Sequence, residues 1–350
     1  MSYEREGSVL DFRSDTVTQP TDAMREAMYR APVGDDVYGD DPSMNELQDY
    51  AAELLGTEAA IYACSGTMGN LMALLSHCER GDGVLMGINS HTWKNEAGNV
   101  AGIAGVMPFP VDDSSGCPTP ESIRSAYLPS GNVHYAHTTL LALENTHNSA
   151  GGVPIPVDVF AAAAREARSL GLKVHVDGAR IFDAAVYFGA DVKEYASEAD
   201  SIQFCLSKGL GAPMGSILCG TAGFVERARR RRKALGGGQR QSGIAAAAGL
   251  VALRDMRGRL AEDHKNAALL ASLLSDAGLA VESVTHRTNM VYFALPGFIS
   301  DTGDFTGRCA RKGLLLGAAG ERRIRMVTHV GLDERSVRDA VDVIKEALSL

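Results

Sequence analysis

Leu172-Lys173-Val174-His175-Val176-Asp177-Gly178-Ala179-Arg180 reads as a strand that delivers an aspartate to its carboxyl end, after which the chain turns away. A second apolar run, residues 201–206, ends in Ser207-Lys208-Gly209. The interval of about thirty residues between them matches one strand, crossover helix, parallel strand unit. Ligands of open sheets lie outside the carboxyl ends of the strands, so Asp177 and Lys208 are expected to share one crevice. Further apolar runs at 59–63, 84–86 and 140–143, separated mostly by segments long enough for a helix, extend the rhythm. The fold class is α/β, a mainly parallel sheet with helices on both faces.

Around that centre, residues 21–30 have helical composition with Thr21 as N-cap, and 31–34 stop the helix. Residues 34–42 are dense in turn formers and form a loop before a helix over 43–55. From about residue 251 the pattern becomes a long charged amphipathic helix, then a strand at 290–295 and a helix at 334–348. We expect a large domain over 1–250, which includes the N-terminal segment, and a small C-terminal α+β domain over 251–350.

The 350 residues, 45% hydrophobic, are enough for such a pair of cores. A net charge of -9 argues against nucleic acid or an anionic membrane as partner. The basic run 227–233 reads instead as the last turns of a helix, where cations complement the dipole. Six scattered cysteines without a CxxC pair suggest neither zinc nor a dithiol centre and fit a reducing cytosol. The polar, acidic residues 1–12 lack the marks of a secretory or transit leader, and the longest apolar stretch, 244–253, is about half a membrane span, so a soluble protein is expected.

A lysine amine and a carboxylate in one crevice have an evident chemical use. Pyridoxal 5'-phosphate needs the amine to hold it as an imine and the carboxylate to keep its ring nitrogen protonated. Taken alone, the pair fits equally a salt bridge at a sheet edge and a surface lysine. Ser65, Gly66 and Thr67 lie where a strand turns into a helix and offer a phosphate cradle, although an ordinary capped glycine turn has the same residues. Lys233 and Arg240 on the glycine-rich stretch 233–240 add cations able to reach a phosphate, including that of another subunit. His91, just after the run 84–86, is placed to stack on a pyridine ring, and His134 is a second candidate; lone histidines are also commonly structural. His134-Tyr135-Ala136-His137 lacks an acidic partner, so no metal is inferred. Arg180 and Arg325 are candidate carboxylate clamps. Gly209-Leu210-Gly211 suggests a nicotinamide enzyme only weakly, since Met214 takes the third glycine place and Pro213 breaks the helix start.

Several segments carry a family resemblance: 11–18 (Asp-Phe-Arg-Ser-Asp-Thr-Val-Thr), 34–42, 143–148 (Leu-Glu-Asn-Thr-His-Asn), 175–180 (His-Val-Asp-Gly-Ala-Arg), 206–211 (Leu-Ser-Lys-Gly-Leu-Gly) and 236–243. In order and spacing they resemble the L-threonine aldolases of the low-specificity type. The resemblance implies the aspartate aminotransferase-like fold (fold type I), pyridoxal phosphate, a homotetramer with sites at dimer interfaces, and cleavage of β-hydroxy amino acids to glycine plus an aldehyde. It further implies Lys208 as the Schiff-base lysine, Asp177 as the pyridinium partner, His91 as the stacking ring, and Gly66 with Thr67 as the phosphate cradle. Ser14, Arg180 and Arg325 resemble the groups that bind the substrate carboxylate. Lys233 and Arg240 match basic residues of the active-site interface, and His134 a histidine near the substrate hydroxyl. His91, His134 or an ordered water serves as base. Lys94 and Asn95 depart from the bulkier apolar or aromatic groups usual at their places, which leaves side-chain preference open. A β-eliminating lyase, a racemase or a hydroxymethyltransferase-like enzyme would keep the cofactor and alter the reaction.

Overall fold

Segments buried along their whole length, such as Gly83–Gly87 and Ser216–Gly220, have the interior of a covered sheet as their natural place. The computed structural model describes residues 9–349. Most of the stretch on which the absence of a leader was expected, residues 1–8 of 1–12, thus lies outside the described residues. The first eight strands are β1 (Leu10–Asp11), β2 (Ala59–Ala63), β3 (Gly83–Gly87), β4 (Met107–Val111), β5 (Thr138–Glu144), β6 (Lys173–Asp177), β7 (Ser201–Cys205) and β8 (Ser216–Gly220). Seven of them form one sheet in the order β2-β8-β7-β6-β5-β3-β4. β8 runs antiparallel to both neighbours, and the other pairings are parallel.

Two of these strands are not among the expected runs. In β4, Pro108 and Pro110, opposite Val84 and Met86, have no N–H to offer a further strand, which suits only an edge. β8 follows the turn-forming stretch after Lys208 and folds back as a hairpin against β7, a reversal that apolar periodicity does not announce. Five further strands complete the chain: β9 (Ala280–Val281), β10 (Met290–Ala294), β11 (Leu314–Leu315), β12 (Gly317–Gly320) and β13 (Arg323–Val327). Four make an antiparallel sheet ordered β12-β13-β10-β9, and β11 pairs in parallel with β1.

One core holds Tyr62, Phe160, Phe182 and Phe204 around the large sheet; another holds Phe293, Phe305, Ile324 and Ile344. Phe12 is fully buried in the second core, so the chain just after it, Arg13 to Asp15, is delivered to the seam between the two. We propose the domain division at 250/251, with Leu10–Phe12 docked on the C-terminal unit. The single long helix expected from residue 251 is instead interrupted: Gly243–Val251 runs into a π-helical turn at Ala252–Met256, and a separate helix spans Leu260–Asp276. The basic run lies in the helix Ala222–Ala234, whose last turn carries Arg231, Arg232 and Lys233 as its dipole favours. Among the described residues no helix is long and apolar enough to cross a membrane.

Asp41 joins two helices. Its Oδ1 accepts from Met44 N (3.0 Å) as the N-cap of Pro42–Leu55, and its Oδ2 accepts from Gly243 N (2.7 Å) at the start of Gly243–Val251. The side chain is fully buried, so Asp41→Ala strands two amide donors and is expected to cost about 2–4 kcal/mol. Urea titration should show a lower midpoint at unchanged slope, with Asp41→Asn losing less.

Candidate functional site

Asp177 at the end of β6 and Lys208, just past β7, line the same cavity of ≈ 220 Å³ with Ser65, Gly66, Thr67, His91 and Gln203. Asp177 is not spent on a salt bridge to the lysine. Its Oδ1 accepts from Gln203 Nε2 (2.5 Å) and Ala179 N (3.1 Å), and its Oδ2 accepts from Asn70 Nδ2 (2.9 Å). Burial opposes its charge most strongly, yet the positive charge of Lys208, then His91 and the two amides, hold the carboxyl below its ordinary value. It is therefore an anion kept ready for a cationic partner.

The parallel register explains why the amides meet it. Gln203 is the partner of Asp177 across β6 and β7, so their side chains leave the same face of the sheet. Asn70 lies one turn inside the helix Gly66–His77, and its Oδ1 is paired with His175 Nε2 (3.1 Å). Burial pushes the His175 imidazole down to about 4, so it is neutral, and its Nδ1 is paired with Ser201 Oγ (2.8 Å). This fixes Asn70 with its NH2 toward the carboxylate.

At the start of the same helix Ser65 Oγ accepts from Met68 N (3.2 Å) as N-cap, which leaves the opening amides turned toward the cavity. Gly66 has to be glycine, because a Cβ there would meet Cys205 Sγ at 2.9 Å. A carboxylate, an amine unbonded among the described residues and a helix N-terminus around one cavity fit a pyridine ring carrying a phosphate. Above them, His91 Nδ1 lies 3.0 Å from Glu96 Oε1, and His91 N donates to Glu144 Oε2 (2.6 Å).

A wider cleft of ≈ 390 Å³ shares Thr16, His91 and Lys208 with the cavity and adds Ser14, Asn95, Asn148, Arg180 and Arg325. Arg180 differs from a free clamp. Its Nε and Nη2 already donate to Asp15 Oδ2 (2.7 Å) and Oδ1 (2.6 Å), so one edge of the guanidinium is used. Arg325 is held by Asn148 Oδ1 (3.1 Å) and the Arg13 carbonyl (3.0 Å), and Asn148 N in turn donates to Glu144 Oε1 (2.9 Å). Ser14 Oγ accepts from Thr16 N (3.2 Å) at the cleft wall. Lys94 donates to Asn89 Oδ1 (2.7 Å), so only Asn95 of the two departures lines the cleft.

Three expected site residues stand apart within this chain. His134 is exposed on a turn, its backbone N–H donating to Asn132 Oδ1 (3.0 Å). Arg240 pairs with Asp35 (2.9 Å), and neither it nor Lys233 lines the cavity or the cleft. Conversely Asn70, Gln203, Glu96 and Asp15 were not singled out from the sequence. The alternation in Ser-Ile-Gln-Phe-Cys, with a polar amide inside a buried strand, is the one signal that marks Gln203.

The family model described as beta-eliminating lyase matches residues 11–296. The low specificity L-threonine aldolase of Escherichia coli strain K12 is 49% identical over 284 residues, covering 81% of this chain and 84% of that protein. Low-specificity L-threonine aldolase 1 of Arabidopsis thaliana is 41% identical over 348 residues, 97% of this chain and 96% of its own length. Among solved structures, the threonine aldolase of Leishmania major superposes with a TM-score of 0.82 at 18% identity, covering 96% of this chain and 98% of that one. The architecture is the aspartate aminotransferase-like fold.

Gln203→Leu removes a donor from Asp177 without changing the strand. The Asp177 carboxyl should rise toward its ordinary value, and stability at neutral pH should fall by about 1–3 kcal/mol. Because the folded-state value is depressed, the carboxylate stabilises the fold above the unfolded value and this is lost as pH falls through the folded one. The variant's acid-linked loss should therefore be smaller and complete at a higher pH than in the wild type, read by urea unfolding across a pH series.

Proposed function

This chain belongs to the low-specificity L-threonine aldolases within the beta-eliminating lyase family, and from that premise we propose that it holds pyridoxal 5'-phosphate on Lys208 and cleaves L-threonine, L-allo-threonine and related β-hydroxy amino acids to glycine and an aldehyde. It is a carbon–carbon lyase. The observation that carries this reading is Asp177 and Lys208 facing one cavity, with the carboxylate bonded to amides and the amine left free of it.

When bound, the cofactor supplies a protonated ring that takes up the electrons of the broken Cα–Cβ bond. Lys208 anchors it covalently, Asp177 holds the proton on the ring nitrogen, and Ser65, Gly66 and Thr67 take the phosphate. Arg325 and Ser14 bind the substrate carboxylate, and Arg180 offers it the guanidinium edge that Asp15 leaves free. His91 takes the β-hydroxyl proton; its place on the shared wall of cavity and cleft supports this over His134 of the same chain. In Lys208→Ala, borohydride treatment should fix no phosphopyridoxyl group and retro-aldol cleavage should be lost, whereas the wild type carries the label at position 208. Threonine giving glycine and acetaldehyde supports the aldolase. Production of 2-oxobutanoate and ammonia would favour the elimination that the family model's description names.

The assembly we propose is a homotetramer, a dimer of dimers, in the cytoplasm. Six free cysteines, five of them buried, suit a reducing compartment. The exposed apolar groups Tyr29, Tyr38 and Val133 suit subunit contacts, and Tyr38 N donates to Asp35 Oδ1 (3.3 Å) of the Asp35–Arg240 pair. Lys233 and Arg240 then serve a neighbouring subunit's phosphate, and His134 a neighbouring subunit's cleft. Mixing Lys208→Ala with Arg240→Ala chains tests this. If Arg240 crosses the interface, mixed dimers regain one intact site and activity returns to about one quarter of wild type. No regain places Arg240 outside a shared site.

A further inference from the structure

Glu96 belongs to the wall of the cavity, yet the reaction as derived gives it nothing to do. It is 2% exposed and lies in the loop after the short helix His91–Lys94. Ala97, the next residue, has φ 54 and Gly98 has φ 74, so the chain makes a left-handed bend that a non-glycine residue rarely adopts. Just before that bend the Glu96 carboxylate faces inward rather than to solvent. Oε1 accepts from Asn70 Nδ2 (2.9 Å) and faces His91 Nδ1 (3.0 Å), and Oε2 is buried without a partner among the described residues.

The hydrogen count then settles where protons sit. Asn70 cannot be turned over, since its oxygen is needed by His175 and its NH2 spans the carboxylates of Asp177 and Glu96. Glu96 Oε1 is consequently an acceptor. With Glu96 ionised, the imidazole facing it has to donate, which puts its proton on Nδ1.

We propose that Glu96 is a positioning residue that sets the tautomer of His91, holding the proton on Nδ1 and leaving Nε2 as the proton acceptor toward the cavity. The functional use of that acceptor rests on the reading of His91 as the base. Its charged surroundings are Glu96 on its own loop, Asp177 at the end of β6, Lys208 beyond β7, and Glu144 at the end of β5, which accepts the His91 backbone N–H. The hydrogen bond to Glu96, followed by the opposing effect of burial and the charge of Asp177, leaves the His91 imidazole above its ordinary value.

The tautomer is read in the cofactor-free protein by 15N NMR of labelled imidazoles at a pH where they are neutral. The chain has 9 histidines, and the His91 signals are those lost in His91→Phe. The expected result is Nδ1–H in the wild type and Nε2–H, the form free histidine favours, in Glu96→Leu. In the holoenzyme Glu96→Leu should lower kcat on the order of 10²-fold with KM little changed. Glu96→Gln keeps an oxygen for both donors but removes the charge. It should retain Nδ1–H, and the acid limb of its kcat/KM profile should move to lower pH, because a less stabilised imidazolium deprotonates earlier. A loss of packing alone would not move that limb, and this variant tests the proposal even should Glu96→Leu fail to fold. Wild-type His91 protonated on Nε2, or an acid limb unmoved in Glu96→Gln, overturns the assignment. If His91→Phe slows cleavage only a few-fold while the tautomers behave as stated, the role of His91 as base falls and the role of Glu96 stands.

Discussion

A carboxylate is kept ionised inside the protein at Asp177, and the architecture around it follows from what that requires. Burial alone would drive such a group to its neutral form, and a neutral acid could not hold a proton on a ring nitrogen. The chain meets this with donors that cannot themselves lose a proton: the amides of Asn70 and Gln203 and the backbone N–H of Ala179. The positive charge of Lys208 completes the balance, joined by His91 when its imidazole is protonated. Each donor comes from a different element, so the sheet order, the helix after β2 and the turn after β6 all have to be right at once.

Polar support spreads from there in two directions. Behind Asp177, Asn70 leans on His175, which leans on Ser201, whose Oγ also lies 2.7 Å from His77 Nε2. Burial holds both imidazoles neutral, so the row relays orientation and adds no charge. In front, Glu144 accepts from the backbones of His91 and Asn148, and Asn148 positions Arg325. One acidic residue thereby sets the spacing between the cavity and the cleft.

Much of this was legible in the residues. The runs at 59–63, 140–143 and 201–206 became strands at nearly those bounds, and the helices after Thr21 and over 334–348 begin and end where read. Local signals of that kind depend on propensity and capping, which sequence carries directly. What it does not carry is pairing across distance. Asp15 and Arg180 are 165 positions apart, and only the fold shows that one edge of the guanidinium is already bonded. Gln203 looks like an interruption in an apolar strand until the register sets it beside Asp177. β8 escaped because its direction reverses after a stretch of glycine and proline, and β4 because proline hides an edge strand.

The attachment of Leu10–Phe12 to the last third of the chain has a consequence for biosynthesis. Leu10 pairs with Leu314, and the Phe12 carbonyl accepts from Val327 N (2.9 Å), so the segment that brings Ser14 and Asp15 to the cleft is among the first made and has nowhere to dock until β11 and β13 leave the ribosome. The large sheet can form during translation. The wall against which a substrate carboxylate rests cannot, which makes ligand competence one of the last properties a newly made chain acquires.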